Sequence, residues 1–364
     1  MKKKTRVLIV DDSALMRKYL REIIAEDREL EVVGAARDGL EAVELNLSLQ
    51  PDVITMDINM PRMDGLTAIQ HIMVQRPCPV LVVSSLSQKG ALVTFEALEL
   101  GAVDYVPKPD GTVSLGIKDA AREIREKIKA VRRAKPRTLK LEDGPGLKRA
   151  KPPAVEVASP KTPRAAAAPA GNEKLVLIGV STGGPKTLME ILPYLPPDFE
   201  APVVVVQHMP PSFTGPFAER LNRECRLTVK ESVEGMSLLP GEAMVARGGV
   251  HLKIDRRPGE KYLRLRHSPR PAEALYKPSI DVAFRSALEC FPGENIVAVL
   301  LTGMGDDGAD AMLEIKESGG LTIAEAEETA VVWGMPGEAV KRGAAGLVLP
   351  CHAIAEALKK AVSN

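Results

Sequence analysis

At roughly 150 residues per domain, 364 residues predict about two domains with ample apolar material for their cores. A composition of 45% hydrophobic and 27% charged residues is that of a globular chain and excludes wholesale disorder or a fibrous protein. Lys plus Arg (49) nearly equals Asp plus Glu (48) and aromatics are only 3%, so neither a nucleic-acid-binding surface nor a stacking platform for single strands is expected.

The four cysteines, Cys78, Cys225, Cys290 and Cys351, lie 147, 65 and 61 residues apart. Such spacing matches neither a zinc site nor a disulfide framework, and they read as the reduced thiols of a cytoplasmic protein. The start Met1-Lys2-Lys3-Lys4 imitates a secretory signal, but the apolar run Val7 to Val10 stops at two aspartates and is too short. No stretch of about 18 predominantly apolar residues occurs, so membrane insertion is not expected.

In the first third, short apolar runs alternate with longer helical patterns. The runs are Arg6–Val10, Glu31–Ala36, Val53–Met56, Val80–Val83 and Val103–Val106. Between them, Leu15, Tyr19, Ile23 and Ile24 share one helical face, as do Leu66, Ile69, Ile72 and Met73. Five strand–helix repeats imply a parallel sheet covered on both faces by right-handed crossovers.

Ligands of such a sheet sit beyond the carboxyl ends of its strands. Asp11 and Asp12 end the first run, Asp57 the third and Ser84 the fourth, and Lys108 follows the fifth. Any one such aspartate could merely cap a helix, as Asp12-Ser13 could for the first. As a set they form an acidic pocket. Three carboxylates repel unless a cation joins them, and oxygen ligands of this kind suit Mg²⁺ with several waters. Lys108 would neutralise a phosphoryl oxygen and Ser84 hydrogen-bond another, and a carboxylate can form an acyl phosphate.

Val10-Asp11-Asp12-Ser13, Asp57, Met60-Pro61-Arg62-Met63-Asp64-Gly65 and Lys108-Pro109 resemble the response-regulator receiver family over about residues 5 to 125. The resemblance implies a flavodoxin-like (βα)5 domain with Asp57 as phosphoacceptor and a histidine kinase as phosphodonor. It also implies Mg²⁺ held by Asp11, Asp12, Asp57 and the main-chain carbonyl of Asn59, with Ser84 and Lys108 contacting the phosphoryl group.

From Ala134 to Gly171 the texture changes to seven Pro, nine Ala and eight Lys or Arg, with no aromatic residue. So little apolar surface cannot offset ordering entropy, and the segment reads as a semi-extended, solvated linker. Pro163 and Pro169 argue against a helix at Ala165 to Ala168. The division is therefore 1–133, linker 134–171, and 172–364.

After the linker, Leu175–Val180, Val203–Gln207 and Ile296–Thr302 read as buried strands, the last of these being the final buried run. Leu188–Leu192 and Ala309–Ser318 read as helical, and Met244 to Leu265 as a β-rich middle. The second unit is also α/β, with its strand order left open.

The first of these runs enters Gly179-Val180-Ser181-Thr182-Gly183, a G-x-S-x-G on a strand-to-helix turn that would lift the Ser181 hydroxyl clear of the sheet. A phosphate cradle is the rival, but the Walker A lysine and the third glycine of a dinucleotide motif are missing. A serine alcohol needs a base and an orienting group. Of five histidines, His208 ends a strand and can face Ser181; His71 falls on a receiver helix, and His251, His267 and His352 lack that placement. The run to Thr302 opens into Gly303-Met304-Gly305-Asp306-Asp307-Gly308, bringing an acid to the same edge. Main-chain N–H groups near Thr182 and Met304 are candidates for an oxyanion hole.

Gly179–Pro185, Gln207-His208-Met209-Pro210, Leu239-Pro240-Gly241, Pro278-Ser279-Ile280-Asp281, Leu301–Gly308 and Gly334-Met335-Pro336 together resemble the chemotaxis protein-glutamate methylesterase (CheB) family over about residues 173 to 361. The resemblance implies a doubly wound α/β methylesterase domain with Ser181 as nucleophile, His208 as base and Asp307 as orienting acid. Asp306 stands where some relatives carry Asn. Also implied are glutamate methyl esters of cytoplasmic chemoreceptor helices as substrates, glutamine deamidation, and relief of receiver obstruction on phosphorylation of Asp57. The ester step requires no metal. The rivals are a DNA-binding output, which would need a compact helix-turn-helix or basic face, and a degenerate binding module.

Overall fold

The protein is described by a computed structural model covering residues 3–85, 87–108, 116–134, 174–257 and 259–363. All of the expected linker except Ala134 lies outside these residues.

The first unit runs β1 (Thr5–Val10), α1 (Ala14–Ala25), β2 (Leu30–Ala36), α2 (Gly39–Leu49), β3 (Val53–Met56), α3 (Gly65–Gln75), β4 (Val80–Ser84), α4 (Gln88–Glu99), β5 (Asp104–Pro107) and α5 (Gly116–Val131). Its strands pair in the order β2-β1-β3-β4-β5, all parallel, which is the flavodoxin-like winding. Val7 to Val10, Val53 to Met56 and Val80 to Val83 are buried, as strands covered on both faces must be.

One expected core position is corrected. Leu15 is 77% exposed, and Leu20, Ile23 and Ile24 carry the packing of α1. Leu15 sits in the first turn of the helix, at the carboxyl edge of the sheet and beyond the layer that buries the rest.

The second unit runs β6 (Leu175–Val180), α6 (Gly184–Ile191), β7 (Val203–Gln207), α7 (Pro211–Glu224), β8 (Thr228–Glu231), β9 (Glu242–Val245), β10 (His251–Asp255), β11 (Arg264–Ser268), α8 (Ile280–Cys290), β12 (Ile296–Leu300), α9 (Ala309–Glu317), β13 (Leu321–Glu325), α10 (Met335–Lys341), β14 (Leu347–Leu349) and α11 (Cys351–Val362). Among the described residues, its parallel strands take the order β14-β13-β12-β6-β7-β9-β8, and β10 and β11 form a separate antiparallel ribbon. Ile296–Thr302 is not the final buried run, because Thr322 to Glu325 of β13 are buried as well. The polar residues there disguise a core strand; Thr322 is satisfied by donating to the Ala344 carbonyl at 2.7 Å.

The chain winds away from β6 in both directions, so β6 and its neighbours β7 and β12 flank a topological switch point, where the carboxyl ends of an open sheet leave a crevice.

The two units touch through α4 and β5 on one side and α7 on the other. Tyr105 stacks on Phe213 with ring centroids 4.8 Å apart, and Phe95 packs against Phe213 and Phe217 at 6.1 and 5.4 Å. Arg220 of α7 pairs with Glu99 of α4 and lies over the Phe95 ring. Truncating a buried Phe to Ala typically costs about 3–5 kcal/mol. Phe95→Ala is therefore expected to loosen this docking, seen as faster amide hydrogen exchange in both α4 and α7. Unchanged protection in α7 would show that Phe95 does not pin the units together.

Candidate active site and acidic pocket

β12, β6 and β7 end in step: Leu300 pairs with Gly179, and Val180 with Gln207. The chain exits stay laced together beyond the strands, as Ser181 N–H donates to the Thr302 carbonyl (3.0 Å) and His208 N–H to that of Val180 (3.1 Å). Gly183 has φ +79°, a left-handed conformation that turns the chain sharply into α6. A Cβ on Gly303 would lie 2.8 Å from the Ser181 Cβ, so only glycine lets the β12 exit pass the serine.

These exits bring Ser181, His208 and Asp307 together. His208 Nδ1 is 3.1 Å from Ser181 Oγ, and its Nε2 is 2.8 Å from Asp307 Oδ2. Asp307 also accepts from Ser279 Oγ (2.9 Å) and from the N–H groups of Ile280 (2.7 Å) and Asp281 (3.1 Å) at the start of α8. Burial opposes the charge on Asp307, but the His208 contact and these amides outweigh it and hold the carboxyl below the ordinary range. An ionised carboxylate only accepts, so Nε2 carries the imidazole proton and Nδ1 presents its lone pair to Ser181. Asp306 points away into solvent and pairs with Arg342. The main-chain N–H groups of Thr182 and Met304 have no partner among the described residues.

In the first unit, carboxylate oxygens of Asp11, Asp12 and Asp57 lie within 4.8 Å of one another. Asp11 and Asp57 are buried, Asp12 is exposed, and Asn59, Ser84 and Lys108 line the same pocket. Lys108 Nζ bridges Asp57 (2.8 Å) and Asp11 (3.0 Å). Apart from that ion pair, the buried Asp11 Oδ2 makes no hydrogen bond. Burial pushes the Asp57 carboxyl up from its usual range, with Lys108 opposing and Asp11 reinforcing. A cluster of buried, partly unsatisfied oxygens at this spacing fits a hard divalent cation. The Ser84 hydroxyl accepts from Thr94 Oγ1 at 2.7 Å and lies 3.4 Å from the Gly90 carbonyl.

A CheB methylesterase family profile matches residues 176–358, and a response-regulator receiver profile matches residues 7–115. The chain belongs to the CheB methylesterase family. A protein-glutamate methylesterase/protein-glutamine glutaminase of Carboxydothermus hydrogenoformans is 59% identical over 99% of both chains. One from Caldanaerobacter subterraneus is 53% identical over 100% of this chain and 98% of the relative. The crystal structure of the Thermotoga maritima CheB methylesterase catalytic domain superposes with a TM-score of 0.50 at 41% identity, over 51% of this chain and 97% of that one.

This CheB-family site contains residues to which the sequence motifs gave no role. His251, set aside for its position, is fully buried and its Nδ1 accepts from Ser279 N–H at 3.2 Å, so it anchors the segment that cradles Asp307. Thr302 donates its hydroxyl to the Thr182 carbonyl (2.9 Å) and accepts from Val332 N–H (2.9 Å), tying the serine turn to the loop before α10. Glu325, at the end of β13, accepts from Thr302 N–H (2.9 Å) and Thr329 Oγ1 (3.0 Å). Ser279 was detectable as a helix cap before an apolar periodic stretch; nothing local marks the others.

No position of Glu325 is exposed to water, and burial, aided by the Glu190 charge, pushes its carboxyl up to about 6 from 4.5. Below the lower value both folded and unfolded chains hold the proton. As pH rises from there through 6, the unfolded chain releases it first, so stability falls, by about 2 kcal/mol in all. Glu325→Gln keeps an acceptor for Thr302 without the charge. It is expected to be about 2 kcal/mol more stable than wild type at pH 8 and equal to it near pH 4, measured by denaturant unfolding. An equal difference at both pH values would rule out titration of Glu325 as the cause.

Proposed function

We propose that this protein hydrolyses glutamate methyl esters, and deamidates glutamines, on cytoplasmic chemoreceptor helices, under control of phosphorylation at Asp57. The observation that carries the ester chemistry is the continuous hydrogen-bonded path from Ser181 through His208 to Asp307. Its support from outside is the name shared by full-length relatives, protein-glutamate methylesterase/protein-glutamine glutaminase.

His208 Nδ1 takes the Ser181 proton as Oγ attacks the ester carbonyl, and Asp307 stabilises the imidazolium. The oxyanion is received by the N–H groups of Thr182 and Met304, which have no partner among the described residues, each such donor being worth roughly 3 kcal/mol. The imidazolium returns the proton to the departing methoxide, methanol leaves, and an acyl-serine remains. Water then attacks with the same base and releases glutamate. General-base help of this kind is typically worth about 10²–10⁴-fold. With a glutamine side chain the leaving group is ammonia.

In the receiver, Asp57 attacks the phosphorus of a kinase phosphohistidine; the P–N bond breaks and an acyl phosphate forms. Asp11, Asp12, Asp57 and the main-chain carbonyl of Asn59 would hold Mg²⁺, which supplies charge neutralisation for the transferring group. Lys108 stabilises the phosphoryl oxygens, and Ser84 turns its hydroxyl to one of them. That turn costs the bond to Thr94, whose neighbour Phe95 lies in the contact with α7. Phosphorylation thus favours the undocked arrangement, a population shift driven by local charge. Obstruction in the docked form has support in Val331, which packs against both the receiver core and the Gly183 turn.

A DNA-binding output fits poorly with the strand-rich second unit. A purely docking role is countered by the assembled hydroxyl, imidazole and carboxylate.

Ser181→Ala is expected to abolish methanol release from methylated receptor membranes while leaving phosphorylation intact; release at the wild-type rate would remove Ser181 from its role. Asp57→Asn is expected to block ³²P labelling by acetyl phosphate in Mg²⁺ and to leave methanol release unstimulated by that donor. Stable label in this variant would place the acceptor at another residue.

A further inference from the structure

We infer that Tyr276 is a positioning residue for the esterase reaction: its ring lies against the face of the His208 imidazole, holding the base between Ser181 and Asp307 and stabilising the imidazolium formed during attack. The inference rests on the roles proposed for Ser181, His208 and Asp307.

The two rings are nearly parallel, with centroids 4.0 Å apart and planes inclined by 13°. Both imidazole nitrogens are already engaged at the ring edge, one with Ser181 and one with Asp307. A partner on the face competes for neither, yet blocks the out-of-plane swing that would break both contacts. An aromatic face also attracts a cation within about 6 Å of its centroid, and the attraction grows as water is excluded. The neutral imidazole gains less than the imidazolium, so the stack favours the transition state over the ground state. Burial pushes the Tyr276 phenol up, and Glu126 and Glu123 of α5 push it the same way, which keeps the ring uncharged.

The backbone fixes the ring in place. The Lys277 carbonyl accepts from Gly249 N–H at 2.9 Å, and Ser279 N–H donates to His251 Nδ1 at 3.2 Å. The other nitrogen of His251 donates to the Pro271 carbonyl at 2.9 Å. Residues 276–281 therefore form one anchored stretch that supplies the face contact to His208 and three hydrogen bonds to Asp307. The preceding residue, Leu275, is 70% exposed, so this part of the loop is not drawn in by general apolar burial.

The test uses the full chain, activated with acetyl phosphate and Mg²⁺, and two readouts. One is the rate of Ser181 capture by a fluorophosphonate, in which the Oγ–P bond forms, the P–F bond breaks, fluoride leaves and the serine proton passes to His208. The other is methanol release from methylated receptor membranes. Tyr276→Leu is expected to lower the capture rate and kcat about tenfold with KM changed less than about twofold, whereas Tyr276→Phe, which keeps the ring face, retains both rates within about twofold. Should the leucine variant not fold, Tyr276→Met supplies similar bulk without a ring and carries the same expectation. Wild-type capture and kcat in the folded ringless variant would overturn the inference, as would equal losses in the phenylalanine and leucine variants. Ser181→Ala, run alongside, separates the cases: if it is still captured at the wild-type rate, the underlying triad assignment fails as well.

Discussion

The site depends on the register of three buried parallel strands. With Leu300 opposite Gly179 and Val180 opposite Gln207, the exits of β12, β6 and β7 leave the sheet at one height. A slip of one residue between β6 and β7 would displace His208 by about 3.3 Å and turn every side chain of the strand to the opposite face. The contact between Nδ1 and Oγ has no tolerance for such a shift. Register here is held by packing, since Val203 to Val206 are completely buried and each face of the strand meets a different helical layer. The strand-end hydrogen bonds, Ser181 to Thr302 and His208 to Val180, then extend the ladder into the turns that carry the candidate residues.

The two acidic sites differ in how completely their carboxylates are satisfied, and this sorts their chemistry. Asp307 is met by a hydroxyl, two amides and an imidazole, so its charge is stabilised in place. It suits orientation and is a poor nucleophile. Asp57 is also buried, but among the described residues it is met by the Ile58 N–H and the Lys108 ammonium, and its burial penalty is not fully compensated. A carboxylate left short of partners is reactive toward phosphorus and welcomes a cation beside it. On the proposed reading, Lys108, which spans Asp57 and Asp11, shifts its contacts to phosphoryl oxygens.

On the proposed reading, one contact surface joins these sites energetically. Ser84 bonds to Thr94 on α4, Phe95 follows at once, and its ring meets the α7 aromatics. The helix α7 itself begins three residues after His208. A rearrangement at the carboxyl end of β4 therefore needs to cross only one helix to reach the element that leaves the catalytic base. Coupling free energies between sites are commonly about 1–3 kcal/mol. Loss of part of one buried aromatic cluster is of that order, so no large deformation of either sheet is required.

The central strands, and the convergence of both sets of candidate residues at their ends, were legible because parallel strands buried on two faces read as continuous apolar runs; β13, with its buried Thr322 and Glu325, was not. The passed-over residues are polar groups whose role is set by distant neighbours: His251 by Ser279, Glu325 by Thr302, Tyr276 by His208. Leu15 failed in the opposite sense, since a helical face extends beyond the layer that covers it. The adjacent acids Asp306 and Asp307 make the limit explicit. Spacing from β12 cannot rank them, because both lie in the same turn. What separates them is remote: Arg342, far along the chain, draws Asp306 outward, while the N-terminus of α8 collects Asp307 with two amides and the Ser279 hydroxyl. A helix N-terminus favours negative charge, so whichever acid reaches it is held ionised and able to orient the imidazole. On the proposed reading, the α8 N-terminus thus selects the orienting acid, a choice the sequence offers only through family likeness, since the deciding partners converge only in the folded chain.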